Sequence, residues 1–218
     1  MKIDLHVHTS EMSMCGALSA EETVKLYAES DFDGIVITNH FNSWTQFAVS
    51  HKGVTDYYKA YKECYENAKK LGEQYGLKVY FGCELKTDKT NNDYLVYGAP
   101  DEVLSRTDEL WKMSAREVKE LADEYNFLFY QAHPFRDHMQ ITPPHELHGI
   151  EVKNANPRHD ARNEIAAAWA ERFNLKGISG SDCHQREDVA LGGIETDADV
   201  PDTAALVEVL RSGNYRII

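Results

Sequence analysis

Short apolar runs alternate along the chain with longer stretches of helical periodicity. Ile3, Leu5 and Val7 alternate with polar residues and carry no helical spacing, which predicts a short buried strand ending in His6 and His8. Further strands are predicted at Ile35 to Thr38, Lys78 to Glu84, Asp93 to Gly98, Phe127 to Gln131, Gly149 to Val152 and Gly177 to Gly180. Two capping boxes open helices: Ser19-Ala20-Glu21-Glu22, running to about Ser30, and Ser114-Ala115-Arg116-Glu117, running to about Tyr125. Tyr57, Tyr61, Cys64, Tyr65 and Ala68 give an apolar face to a helix from about Thr55 to Tyr75. Two more helices are expected, from Asp160 to Arg172 and from about Thr203 to Ser212, while Thr9 to Leu18 and the segment carrying Trp44, Phe47 and His51 read as loops.

Strands that alternate with helices imply parallel pairing with the helices packed over the sheet. Roughly seven of them, with no linker or repeat, suit an α/β fold: a distorted (β/α)7 TIM-like barrel formed by residues 1–218 as a single domain. The placement of metal-binding residue types supports this. His6, His8, His40, Glu84, His133, Asp182 and His184 all fall at or just past strand C-termini, where parallel barrels build their sites. Residues i and i+2 of a strand point the same way, so His6 and His8 project together. That pair alone is equally readable as ordinary polar residues at a strand end; seven such residues are a different matter. Imidazole mixed with carboxylate suits Zn, Mn or Fe, and ions so held supply hydroxide for attack at phosphorus.

Composition narrows the partners. A formal net charge of −13 argues against a long nucleic-acid groove, which leaves a small phosphorylated substrate as the expectation. Cys15, Cys64, Cys83 and Cys183 form no CxxC pair, and no signal peptide or long apolar run is present, so a cytoplasmic setting with free thiols and no membrane contact is expected. The oligomeric state is open.

Five motifs, Asp4-Leu5-His6-Val7-His8-Thr9, Ile37-Thr38-Asn39-His40, Gly82-Cys83-Glu84, Ala132-His133-Pro134 and Gly180-Ser181-Asp182-Cys183-His184, resemble the PHP (polymerase and histidinol phosphatase) superfamily over nearly the whole chain. The resemblance implies a distorted (β/α)7 barrel with a trinuclear metal site that hydrolyses phosphate esters, and two or three divalent ions are expected. It implies that His6, His8, Glu84 and Asp182 hold a first ion, that Glu84 bridges to a second held also by His133, and that His40 and His184 hold a third. Asp93 stands where the family often has His and is expected as a carboxylate ligand, a harder donor that favours Mn or Fe. Cys15 lies near the place of an Asp or His completing the third site, as a soft zinc ligand or as an inert loop cysteine. Asn39 replaces an Asp common before the motif histidine. Arg136 is expected to clamp the phosphate, ahead of Arg158 and Arg162, and His184 or His133 to serve as a proton donor if unligated. Glu151 reads as a pocket wall or as support behind the ligands, and His51, His138, His145, His148 and His159 as loop residues. The competing readings are another metal-dependent hydrolase on the same barrel and a non-catalytic metal-binding domain.

Overall fold

The computed structural model describes all residues from 1 to 218. Its elements begin with β1 (Lys2–Val7), α1 (Ala20–Ala28), β2 (Gly34–Ile37), β3 (His40–Phe41), α2 (Ser43–Ser50) and α3 (Tyr57–Tyr75). Then follow β4 (Lys78–Leu85), β5 (Tyr94–Tyr97), α4 (Asp101–Leu104), α5 (Thr107–Leu110), α6 (Ala115–Tyr125) and β6 (Leu128–Gln131). The chain ends with β7 (Gly149–Asn154), α7 (Asn163–Phe173), β8 (Lys176–Gly180), β9 (Ile194–Glu195), α8 (Thr203–Ser212) and β10 (Arg216–Ile217). Both capping boxes form as expected, with Ser19 and Ser114 each accepting from the third helical backbone N–H while Glu22 and Glu117 reach back.

The sheet runs in the order β10-β9-β1-β2-β4-β5-β6-β7-β8, with β3 extending the rim beside β4. The sheet curls back on itself where Val7 of β1 bridges Cys183, just past β8, in parallel, with His8 N–H donating to the Cys183 carbonyl at 3.0 Å and Cys183 N–H to the His6 carbonyl at 3.1 Å. The seven long strands β1, β2 and β4 to β8 therefore curl into a nearly closed barrel. Most neighbours are parallel, but β5 is antiparallel to both β4 and β6, which corrects the expectation of uniform parallel pairing. The reversal puts the beginning of β5 at the rim where the other strands end, and so brings Asp93 to the site.

Two apolar clusters hold the barrel. The larger packs Ile35, Val79, Phe81 and Phe129 against Val24 of α1, Tyr61 and Tyr65 of α3 and Val118 of α6. In the smaller, Leu5, Tyr80, Tyr97, Tyr130 and Ile178 from five strands meet Leu206 and Leu210 of α8. Burying each of these large side chains contributes roughly 1.5–3 kcal/mol. The segment expected to be a loop after His40 folds instead as α2, capped by Asn42, whose side chain accepts from Thr45 N–H at 2.8 Å.

Candidate metal centre

His6, His8 and His184 are each steered by a hydrogen bond behind the ring. His6 Nδ1 lies 3.0 Å from Glu151 Oε1, and that carboxylate also accepts from His133 N–H at 2.8 Å and Asn154 Nδ2 at 3.0 Å. His8 Nδ1 lies 2.9 Å from Ser13 Oγ. The Ser13 hydroxyl donates to Asn39 Oδ1 and accepts from His40 N–H, each at 3.0 Å. Its one hydrogen is thus committed, so His8 carries its proton on Nδ1 and presents the Nε2 lone pair to the cavity. Asn39 is oriented in turn, accepting from Thr9 N–H at 2.7 Å and donating to Thr9 Oγ1 at 3.0 Å. His184 is held by Nδ1 donating to the Asp182 carbonyl at 2.8 Å.

The atoms left over converge. His6 Nε2 lies 3.3 Å from Glu84 Oε1 and 3.5 Å from Asp182 Oδ1; His8 Nε2 lies 3.4 Å from Glu84 Oε2 and 3.4 Å from Asp182 Oδ1. Neither nitrogen has a hydrogen-bond partner, although His6, His8, Glu84 and Asp182 are all buried. Three triads bring their donor atoms within 4.8 Å: His6, His8 and Asp182; His6, Glu84 and His133; and His8, His40 and His184. Orphaned buried lone pairs facing shared carboxylates fit divalent ions. His133 and Asp182 adopt left-handed φ values of 28° and 52°, a strain of about 1–3 kcal/mol each that the surrounding hydrogen bonds hold in place.

The electrostatics match. Burial alone lowers the His6 pKa, but Asp182, Glu151 and Glu84 outweigh it and raise that pKa well above the usual value. Burial and then the neighbouring His184 and His40 hold His8 well below it. Burial opposes ionisation of Glu84 and Asp182, yet the histidines around them, His6 foremost, keep both well below the ordinary carboxylate range. Carboxylates that favour a proton on His6 also favour a cation in its place, so ion binding releases protons.

The remaining candidates flank this cluster. Cys15, His40, Glu84, Asp93, His133, Arg136, Asp182 and His184 line one cavity of about 260 Å³, joined by Asn156, Arg158, His159 and Gln185. Asp93 is paired with Lys86 Nζ at 3.3 Å and belongs to none of the three triads. Arg136 donates through Nη2 to Asp182 Oδ2 at 2.7 Å and to Asn154 Oδ1 at 3.0 Å, while its Nε is buried without a partner. Arg158 is a bidentate partner of the buried Asp188, and Arg162 pairs with Asp137, away from the cavity.

Cys15 Sγ sits 3.2 Å from His40 Nε2. Burial pushes its thiol up, but hydrogen bonds from His184 and His40 prevail and bring it down to about 6. Cys64 is raised to about 11 by burial, and Cys83 and Cys183 are buried and raised further. In metal-free protein, iodoacetamide is therefore expected to label Cys15 first, with the rate rising through about pH 6 as its thiolate forms. Peptide mapping after a short pulse checks this, and labelling spread equally over all four cysteines contradicts it.

Ser13, Asn154 and Glu151 steer the donors, yet only Glu151 is suggested by the sequence, from its place on a strand near Lys153. Ser13→Ala removes the acceptor for both His8 Nδ1–H and His40 N–H, and is expected to weaken metal binding roughly 10- to 100-fold. Competition with a chromogenic chelator measures this, and unchanged affinity contradicts the steering role.

A family model described as PHP domain matches residues 4–167, and one described as PHP-associated matches residues 160–215. No curated protein matches the sequence. Among solved structures, the chain is similar to a two-domain protein from Bacteroides vulgatus described as containing a predicted PHP-like metal-dependent phosphoesterase, at 18% identity and TM-score 0.69 over 100% of this chain and 64% of that one. An amidohydrolase from Chromobacterium violaceum aligns at 15% identity and TM-score 0.59, covering 100% of this chain and 98% of that one. Endonuclease Q, solved with a 27-mer duplex bearing an abasic lesion, aligns at 16% identity and TM-score 0.58 over 97% of this chain and 56% of that one. The chain thus spans less than two thirds of the first and the last of these proteins.

The duplex complex corrects one expectation, that a net charge of −13 limits the partner to a small phosphorylated substrate and excludes long nucleic acid. Net charge sums the whole surface, whereas a ligand meets the local field, and this cavity's wall sets Arg136, Arg158 and His159 beside Glu84, Asp93 and Asp182. No helix is long and apolar enough to cross a membrane.

Proposed function

The chain belongs to the PHP domain family, and from that premise we propose that its barrel rim holds two or three divalent ions, Zn, Mn or Fe, and hydrolyses a phosphate ester. One observation carries the reading: His6 Nε2 and His8 Nε2, buried and unpartnered, converge within 3.5 Å on the same two carboxylates. His6, His8, Glu84, Asp182 and His133 form the inner donor set, His40 and His184 the outer one, and Cys15 and Asp93 its flanks. Divalent ions held by these residues would supply water activation at neutral pH and charge neutralisation at the phosphoryl oxygens.

The chain's own residues do the rest. Arg136 lines the cavity with its Nη2 held by Asp182 and Asn154, so the guanidinium is positioned to orient the ester and balance its charge. Hydrolysis joins the water oxygen to phosphorus and breaks the ester P–O bond; one proton leaves the water and one arrives on the departing oxygen. His184 holds its Nδ1 proton on the Asp182 carbonyl, so its Nε2 is the atom able to pass a proton when no third ion occupies it.

Elemental analysis of the purified protein, paired with phosphate release from a generic phosphomonoester before and after chelation, tests the reading. Two or three ions per chain with chelator-sensitive turnover are expected. Bound metal with no turnover on any phosphate ester, and turnover on amides instead, overturns it.

A further inference from the structure

A second cavity of about 560 Å³ opens beside the metal centre and shares Cys15, His40 and Asp93 with it. Its own walls are less polar and include Met14, Trp44 and Lys86. Trp44 is 63% exposed and Met14 48% exposed, and no aromatic ring or hydrogen-bond acceptor engages the indole. The platform beneath it is fixed. Asn42 caps α2, Thr45 and Val49 of that helix are buried, and Gln46 Oε1 accepts from Trp111 Nε1 at 2.6 Å. A large indole held outward on a braced helix, next to a reactive centre, is a stacking surface without a ring.

The two ends of the site differ in lining. Arg136 and the clustered imidazoles and carboxylates line the metal cavity, while Trp44, Met14 and Lys86 line only the adjoining one, the Lys86 ammonium being engaged by Asp93 and the Asn91 carbonyl. A phosphoryl group belongs with Arg136 and the metal donors, which sends the leaving group past His40 toward Trp44. The 260 Å³ of the inner cavity hold the ions and a phosphate, not a leaving group of nucleoside size as well. We propose that the adjoining cavity is the leaving-group subsite and that it takes a planar aromatic ring, stacked on Trp44. This inference rests on the phosphoesterase reading of the same centre. The ring belongs to a nucleobase or to an aryl ester, and the test separates the two.

The values of kcat/KM are measured for wild type, Trp44→Ala and Trp44→Phe with adenosine 5′-monophosphate, phenyl phosphate and glycerol 3-phosphate. Ring-bearing esters are expected to be preferred, and Trp44→Ala to reduce that preference on the order of 10- to 100-fold, mainly through KM, with Trp44→Phe restoring most of it. Whichever of the nucleotide and the phenyl ester loses more in Trp44→Ala identifies the ring. In parallel, tryptophan fluorescence of metal-free protein is titrated with the same three compounds. Saturable quenching by a ring-bearing ester, absent with glycerol 3-phosphate and absent in Trp44→Ala, supports the subsite even if no ester is hydrolysed, the result that would defeat the phosphoesterase reading alone. Equal use of all three esters, a ring preference unmoved by Trp44→Ala, or no Trp44-dependent quenching overturns the subsite.

Discussion

Asp182→Ala is expected to lower turnover about 10³-fold or more and to remove most of the bound metal, with the far-ultraviolet spectrum of the fold retained. No other side chain joins so many parts of the centre. Its Oδ1 faces His6 Nε2 and His8 Nε2 at 3.5 and 3.4 Å, its Oδ2 accepts from Arg136 at 2.7 Å and Asn154 at 3.2 Å, and its carbonyl accepts from Asn156 and His184. Alanine keeps the carbonyl but strands the half-buried Arg136 and buried His6 charges. Breaking a buried pair on one side typically destabilises by about 3–5 kcal/mol, so the metal-free variant should also unfold at lower denaturant. The sign with pH follows from the depressed pKa of this carboxylate. Its stabilising effect is present above the pKa of an unfolded aspartate, about 3.9, and is lost only as pH falls through its lower folded value. The stability gap between wild type and variant should therefore persist through neutral pH and narrow only in strong acid. Wild-type metal content and turnover in Asp182→Ala would remove the basis of the centre.

The sequence makes the donors legible and leaves their scaffolding hidden, for a physical reason. His6 and His8 are readable because strand geometry is local: two residues apart means one side. Glu84, His133 and Asp182 are readable because apolar runs reveal where strands end. Direction is not local. Tyr94-Leu95-Val96-Tyr97 is buried at every position, and an all-buried run reads the same forwards and backwards, so the antiparallel course of β5 leaves no trace in it. The helix α2 was hidden because Trp44 and Phe47, its large apolar residues, face solvent while Thr45 faces in, inverting the usual pattern. Ser13 lies in a loop with no motif of its own, and its link to His8 and Asn39 exists only once β1 and β2 are side by side. The left-handed backbone at His133 and Asp182 likewise follows from tertiary hydrogen bonds, not from residue preference.

Gly180→Ala should be the most damaging single methyl added to the chain's glycine positions near the site, because it falls on the seam that closes the barrel. A Cβ there would lie 2.4 Å from His6 Cβ and 2.8 Å from His6 N, against a strand rather than a movable side-chain tip. The seam has little reserve: the β1 and β8 ends are joined by the Cys183 and His6 backbone exchange and by Asp4, which accepts from Ser181 N–H at 3.0 Å and from Tyr27 Oη at 2.6 Å. Overpacking a core usually destabilises by about 1–3 kcal/mol, and backbone against backbone belongs at the upper end. For a chain of this size, about 3 kcal/mol lowers Tm by roughly 6–12 °C, and displacement of His6 should release metal in the same variant. Gly53→Ala is the control. Its φ of 91° strains an alanine, but nothing lies within 4 Å of the added carbon, so only a local backbone penalty of about 1 kcal/mol is expected, with metal binding intact. If the two variants melt together and both retain metal, close approach at Gly180 is not what closes the barrel or holds His6 in place.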